Sequence, residues 1–383
     1  MALDFTLTDE QEELRRLVRR FASDEVAPRA EAFNQEGRIP ADLLDQMGQM
    51  GLFGLPLPEE HGGAGADYLT FCLALEELGR ADQSLAITLE AAVGLGAMPL
   101  AKYGTPAQQA RRLPALATGQ RLAGFGLTEP GGGTDAGGLT TTARRDGDEW
   151  VLDGSKQFIT NAGTERSAFV TVAAVTGSKP REITNFIVEH GTPGFTVGAG
   201  YRKVGWHASD TRDLALAGVR VPSDHQLGER GRGLANFLEI LDEGRIAIAA
   251  LATGLIQACV DECARYAAER EAFGRPIGSN QAISFKIADL EVAAQLARVA
   301  YQRAAWLRDS GRPFKQAASV AKLYATEQAV TAAREACQVF GGYGFTTEHL
   351  VGRLYQDAKI LEIGEGTSEV QRLLIARSLD LPV

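Results

Sequence analysis

Three long apolar runs of helical period dominate the C-terminal half of the sequence and limit what the chain can fold into. They cover about residues 234–271, 281–309 and 315–339. Leu238, Leu241, Ile248, Leu251 and Leu255 carry the first. Ile287, Leu290, Leu296 and Trp306 carry the second. Long helices joined by short connections pack as an antiparallel bundle. Helices this apolar also associate across subunits, so an oligomer is expected. Two shorter helices follow the Gly341-Gly342-Tyr343-Gly344 break.

The rest of the chain has two further periods. Residues 1–120 read as helical. Thr8 and Gln11 have capping-box spacing, and Leu14, Leu17, Val18, Phe21 and Val26 form one face. Pro28 marks a turn away. Ile39-Pro40 opens a second helix with Leu43, Leu44 and Met47 inside. Residues 54–65 are irregular, Tyr68–Leu78 is helical and ended by Gly79, Ser84–Tyr103 is a closely packed helix, and Pro106–Leu116 is the last. From about residue 120 the period shortens. Runs at 150–152, 158–159, 169–175, 183–188, 195–197, 214–216 and 219–221 have β character between turn pairs, which predicts a compact barrel or sandwich. The expected fold is mainly α with a central β domain: 1–120 helical, 121–232 β, 233–383 helical bundle. No βαβ succession or phosphate-binding loop before a helix is present, which argues against a Rossmann fold.

Several functional classes are excluded. A net charge of -10 argues against nucleic acid and offers no basic patch to a membrane. Cys259 and Cys263 stand four apart on an apolar helix without a nearby histidine, so they read as buried small hydrophobes and no metal is expected. The four cysteines form no disulfide framework, the N-terminus lacks a signal core, and the charge-free stretch 246–260 is too short to span a bilayer. A cytoplasmic chain is expected. The five histidines read as loop or surface residues.

Five stretches combine polar groups with glycine. Phe125–Gly137 places Thr128, Glu129, Gly131, Gly132, Gly133, Thr134 and Asp135 at the entry to the β region, a loop able to present backbone amides to an anion or a ring heteroatom, or simply a linker. Phe158-Ile159-Thr160-Asn161 is a strand end with hydrogen-bonding side chains. Asp242-Glu243-Gly244-Arg245 is a charged group inside an apolar helix, costly unless it meets a pocket or partner. Arg245 suits a phosphate or an amide-rich arm, and Glu243 reads as solvated. Arg270, Phe273 and Gln281 lie at a helix–loop–helix turn, where an arginine holds phosphate or caps helix carbonyls. Gln338-Val339-Phe340-Gly341-Gly342 ends a helix at a double glycine, an ordinary cap or a close approach to a phosphate.

The sixth stretch is Ile360–Arg372. Glu365 lies between Gly364 and Gly366, just before a helix start marked by the capping-box spacing of Ser368 and Gln371. A carboxylate in such a turn is either solvated or a base aimed into a pocket.

Order and spacing together resemble the acyl-CoA dehydrogenase family, from about Leu7 to Arg377. The most specific pieces are Leu127-Thr128-Glu129-Pro130 followed by Asp135-Ala136-Gly137, Phe340–Gly344, and Gly364-Glu365-Gly366-Thr367-Ser368-Glu369. The resemblance implies an N-terminal helical domain, a middle β-barrel and a C-terminal four-helix bundle, usually a homotetramer. It implies FAD, an acyl-CoA substrate and electron-transfer flavoprotein as acceptor. Phe125, Leu127, Thr128, Gly133, Thr134, Phe158, Ile159 and Thr160 match flavin-lining positions. Arg270, Phe273 and Gln281, with Gln338, Val339, Gly341 and Gly342 of a neighbouring subunit, match the hold on the diphosphate and adenosine half. Thr367, Ser368 and Glu369 match a further FAD contact. Thr134, Asp242, Arg245 and Gly366 match substrate contacts.

Glu365 matches the base that removes the α proton while the β hydride passes to flavin N5, giving a trans-2-enoyl-CoA. The family pattern also places the backbone N–H of this glutamate on the thioester oxygen, where it stabilises developing enolate charge. Water expulsion by ligand should raise its pKa toward the useful range. Four departures stand out. Thr134 stands for a common Ser, and Gly131-Gly132-Gly133 is unusually rich in glycine. Phe158 stands for Trp, and Gly364 for the Tyr of many straight-chain enzymes, which widens the acyl end. Gly244 occupies the position that supplies the base in the isovaleryl branch, so that arrangement is excluded. The alternatives are an acyl-CoA oxidase and a non-catalytic helical scaffold.

Overall fold

The computed structural model describes residues 6–382. The N-terminal helices are α1 (Asp9–Phe21), α2 (Ala30–Glu36), α3 (Ala41–Gln49), α4 (Tyr68–Ala81), α5 (Gln83–Glu90), α6 (Met98–Tyr103) and α7 (Pro106–Ala117). Thr8 accepts from the Gln11 amide and Gln11 reciprocates, so the predicted capping box forms. Leu43, Leu44 and Met47 are buried on α3. Of the predicted α1 face, Leu17 is exposed.

Two expectations need correction. Pro28 does not turn the chain away. A wide turn at Ala22–Val26 and a tight one at Ala27–Arg29 carry it into α2, because proline is tolerated in a first helical turn. Gly79 does not end α4. It lies inside the helix, where a side chain would stand 2.9 Å from the Leu251 carbonyl, and it marks a close helix crossing.

The β region begins at Leu122. Its strands are β1 (Leu122–Gly126), β2 (Thr142–Asp146), β3 (Glu149–Thr160), β4 (Ser167–Ser178), β5 (Arg181–Glu189), β6 (Phe195–Gly200), β7 (Thr211–Pro222) and β8 (Gln226–Leu227). Among the described residues they form one mixed sheet in the order β6-β7-β3-β2-β4-β5-β8, with β1 parallel to β4. Trp150, Val170, Val172, Phe186 and Leu214 fill its inner face. Strands β1 and β2 escape the sequence reading. Dense glycine masks β1, and β2 is polar except for Ala143. The run of β1 leads directly into the 127–134 loop, beside the end of β3.

The bundle agrees closely with its prediction: α8 (Gly233–Glu269), α9 (Gln281–Asp309), α10 (Lys315–Phe340), α11 (Leu350–Leu361) and α12 (Ser368–Ser378). A short hairpin of β9 (Glu271–Ala272) and β10 (Arg275–Pro276) joins α8 to α9. Helix α8 is the central element. It packs on α4, α9 and α10, and residues 246–256 are fully enclosed. The segments Gln83–Tyr103 and Gly233–Glu269 are long and apolar enough to cross a membrane, but both are mostly buried within this fold. Cys259 and Cys263 are buried and free, and no metal-ligating cluster occurs among the described residues.

Candidate active site

Glu365 sits in the turn between α11 and α12. Its φ is +53°, a left-handed angle uncommon for a residue with a side chain, and Gly366 follows at +93°. The unusual angle thus falls on the carboxylate residue as well as on a neighbouring glycine. Thr367 caps α12 by accepting from the Val370 amide, so the cap lies one residue before the predicted Ser368. Gln371 Nε2 donates to the Gly366 carbonyl at 2.9 Å instead of closing a capping box.

Three elements meet at Glu365. Gly244 of α8 lies against its carboxylate, with Arg245 beside it. Glu90, at the end of α5, faces it. Lys322 of α10 donates to the Gly366 carbonyl at 2.8 Å. The residue is half-buried, but Oε2 is enclosed and has no fixed donor. Burial raises the carboxyl to about 7, while a hydrogen bond from Glu90 and the charges of Lys322 and Arg245 keep it from rising further. Burial and the charge of Glu365 push Glu90 well above the carboxylate range. Two ionised carboxyls cannot donate to each other, so a hydrogen bond between them requires one of the pair to be protonated.

The charged group on α8 divides into two. Asp242 pairs with Arg245 and, at 2.8 Å, with Lys315. Arg245 Nε is enclosed without a hydrogen-bond partner. Glu243 is not solvated. It is buried and accepts from Lys102 Nζ at 2.7 Å and Arg308 Nε at 3.1 Å, which makes it a structural anchor between helices.

The loop after β1 and the end of β3 lie side by side. Gln157 N donates to the Thr128 carbonyl at 2.9 Å. Buried Lys156 donates to the Leu127 carbonyl and to Glu129, whose carboxylate also accepts from the Thr140 and Thr141 amides. A register shift before Ile159 turns Phe158 out at φ +60°, and its exposed ring rests 5.1 Å from that of Tyr201. Ile159 is buried, and Thr160 and Thr128 are partly accessible. Phe125 is stacked on Phe237 at the start of α8. Gly133 and Thr134 are exposed on the loop. His225, expected at the surface, is buried between Arg112 and the Ile187 carbonyl.

A second cavity, of about 780 Å³, collects Arg270, Phe273, Val339, Gly341 and Gly342. Arg270 lies over the ring of Tyr343 and has no carboxylate partner among the described residues. Gln281 and Gln338 are exposed nearby in sequence and do not line it. Along α10, Val339 is about 25 Å from Lys322 at 1.5 Å per residue. One chain therefore does not bring this cavity to Glu365. Ser368 is buried at the α12 N-terminus with an unpartnered hydroxyl, and Glu369 is exposed.

Three family models match in succession: the acyl-CoA dehydrogenase N-terminal domain over residues 8–120, the middle domain over 124–219 and the C-terminal domain over 231–379. The chain belongs to the acyl-CoA dehydrogenase family. It is 47% identical over 380 residues to "Probable acyl-CoA dehydrogenase YngJ" of Bacillus subtilis (strain 168), covering 98% of this chain and 100% of that one. The solved structure of butyryl-CoA dehydrogenase from Megasphaera elsdenii superposes with a TM-score of 0.95 at 40% identity, covering 98% and 100%. A chain in the solved structure described as electron transferring flavoprotein of Acidaminococcus fermentans superposes at 0.96, with 39% identity and coverage of 98% and 99%. In this member of the family, α5, α8 and α10 enclose the Glu365 carboxylate oxygen Oε2.

Glu90 and Lys322 escaped the sequence reading. Each is a lone charge within an apolar helical run, and that isolation is the signal that could have found them.

Proposed function

We propose that this acyl-CoA dehydrogenase oxidises the Cα–Cβ bond of an acyl-CoA thioester to the trans-2-enoyl-CoA, with Glu365 as base. The raised, enclosed carboxyl beside Gly244 carries the reading. A carboxyl poised near neutrality accepts a proton from carbon far better than an ordinary one. The α proton goes to Glu365, and the β hydrogen leaves with its electron pair.

The residues present fit FAD. The unpaired Arg270 with open glycine backbone suits a diphosphate, the 127–133 amides with Phe158 suit a flat ring system, and the free hydroxyl of Ser368 awaits a partner. When bound, FAD supplies the two-electron acceptor. In this reading the N–H of Glu365 polarises the thioester oxygen. Arg245 with Asp242 and Lys315 orients the CoA arm, and Thr134 borders the thioester.

Gly364 leaves the acyl end open, and likeness to a butyryl-CoA dehydrogenase supports a short acyl chain. Likeness to the flavoprotein chain supports electron-transfer flavoprotein as partner. The free cysteines suit the reducing cytoplasm. A homotetramer supplies the second half of each FAD site.

Anaerobic mixing of the FAD-loaded protein with CoA thioesters of graded length and branching tests the reading. Bleaching of the flavin by short acyl chains is expected, with reoxidation fast by electron-transfer flavoprotein and slow by oxygen. No bleaching by any acyl-CoA overturns it, and rapid turnover with oxygen alone points to an oxidase.

A further inference from the structure

Lys322 is completely buried in the Ala-rich face of α10. A buried ammonium is costly unless its donors are used and its charge is answered. Its Nζ donates to one carbonyl, that of Gly366, which also accepts from Gln371 Nε2. Two donors on one carbonyl fix the peptide that follows the base. Glu365 and Gly366 both hold left-handed angles, and such angles persist only where the surroundings enforce them. A side chain on Gly366 would stand 2.8 Å from Gln371 Nε2, so the anchor also closes tightly on the turn.

The charge of Lys322 is answered mainly by Glu365. Arg245 from α8 opposes it, while Glu362 from the end of α11 and Glu327 on α10 add weaker attraction. Glu327 is already held by Arg372 of α12 at 2.6 Å, and Glu362 by Lys359. Glu90 faces Glu365 from α5. Glu362 and Glu327 are thus already paired, whereas Glu365 Oε2 and both carboxyl oxygens of Glu90 are enclosed without a fixed donor, and Glu365 is the one of these two that acts on Lys322.

We propose that Lys322 is a positioning residue of the base, clamping the Gly366 carbonyl and setting a fixed cation opposite the Glu365 carboxylate. This role rests on the reading of Glu365 as base. Burial lowers Lys322 to about 8, so it still carries its charge at neutral pH, where that charge favours ionised Glu365. Gln371 shares the clamp but has no charge, which separates the two contributions.

The test compares Lys322→Met, Lys322→Arg and Gln371→Leu in the full-length, FAD-loaded protein. Infrared titration of the Glu365 carboxyl, assigned by its loss in Glu365→Gln, is read beside the pH profile of flavin bleaching. Lys322→Met is expected to move the carboxyl titration and the acid limb upward together by about one pH unit or more. It should also lower the plateau rate roughly tenfold. Gln371→Leu should lower the plateau without moving the titration. Lys322→Arg keeps the charge and should hold the titration near its original place, even if the plateau falls. An unmoved titration in folded Lys322→Met overturns the proposal. Should that variant fail to fold, a titration moved upward by about one pH unit or more in Lys322→Arg, which keeps the charge, overturns it equally. If Glu365 is not the base, Glu365→Gln bleaches normally, whereas the infrared titration still reports whether Lys322 governs the carboxyl.

Discussion

Gly244 of α8 lies so close to Glu365 of the α11–α12 turn that a methyl group on the glycine would overlap Oε2 of the carboxylate. The helix therefore carries a residue of poor helix propensity at a fully buried position, and the carboxylate occupies the space. The opposing group is the far end of a flexible side chain, so Gly244→Ala should fold. Helix propensity gains up to about 1 kcal/mol, offsetting part of the crowding. The carboxylate, however, must swing away. Bleaching by acyl-CoA should fall about 10²-fold with little change in thermal midpoint. Equal activity in the Ala variant would show that the contact has no part in aiming the base.

In the proposed reaction, Glu365→Gln removes the acceptor for the α proton and keeps the size of the side chain. FAD content and acyl-CoA binding should be retained while the bleaching rate drops by about 10²–10⁴-fold. Stopped-flow absorbance under anaerobic conditions measures the drop. Near-normal bleaching would move the base elsewhere.

The Glu90–Glu365 pair predicts a pH dependence of definite sign. In the proposed reaction Glu365 acts as the carboxylate, so the rate is expected to rise with pH through about 7. The hydrogen bond from Glu90 holds that value down. Glu90→Ala should therefore move the acid limb to higher pH, whereas Glu90→Gln retains a donor and should leave it near its place. Stability runs the other way. Both carboxyls are raised in the folded state, so the folded chain binds protons that the unfolded chain releases. Their contribution is fully present below the ordinary carboxylate value and is lost as pH rises through the folded values. Glu90→Gln should accordingly raise the thermal midpoint more at pH 8 than at pH 4.5.

Much of this site is legible in the sequence. The Gly-Glu-Gly turn, the long helices α8 to α10 and the loop after β1 all stand where local pattern places them, because each depends on neighbours in sequence. What periodicity does not carry is which lone charges meet. Glu90 and Lys322 lie 232 positions apart in the chain, and only the packing of α5 and α10 around α8 brings both to Glu365. Glu243 shows the same limit: its partners Lys102 and Arg308 come from distant helices, so a residue that reads as solvated is a buried anchor. Gly79 was misread because glycine at a helix crossing and glycine at a helix end look alike in sequence.

The pair of Lys156 and Glu129 holds the loop that the family resemblance assigns to the flavin. Both side chains are buried, and the carboxyl is held down to about 2 by Lys156 and the Thr140 and Thr141 groups against the cost of burial. Lys156→Met leaves Glu129 buried without its cation, a loss of about 3–5 kcal/mol. The 127–134 loop should loosen, and FAD should be released at a lower temperature than in the parent. Flavin fluorescence during heating reads this directly. Release at the parent temperature would mean that the loop is held by its backbone alone.

The outer face of α9 leads to the last prediction. Phe285, Val292, Leu296 and Val299 stand seven, four and three residues apart, and each is roughly half exposed. That spacing draws one apolar stripe along a helix, the kind of surface that another helix covers. Phe273 and Phe345, near the Arg270 cavity, are almost wholly exposed as well. The cavity sits at the far end of α10 from Glu365, so under the proposed reading a single chain presents the two halves of an FAD site apart from each other. A second copy seated on this face answers both observations. Leu296→Asp places a charge in the middle of the stripe and should lower the assembly mass measured by light scattering. FAD content should fall in the same variant, because the diphosphate end then lacks its partner. A monomer that still binds one FAD per chain would separate the two effects and show that the cofactor site is complete within one chain.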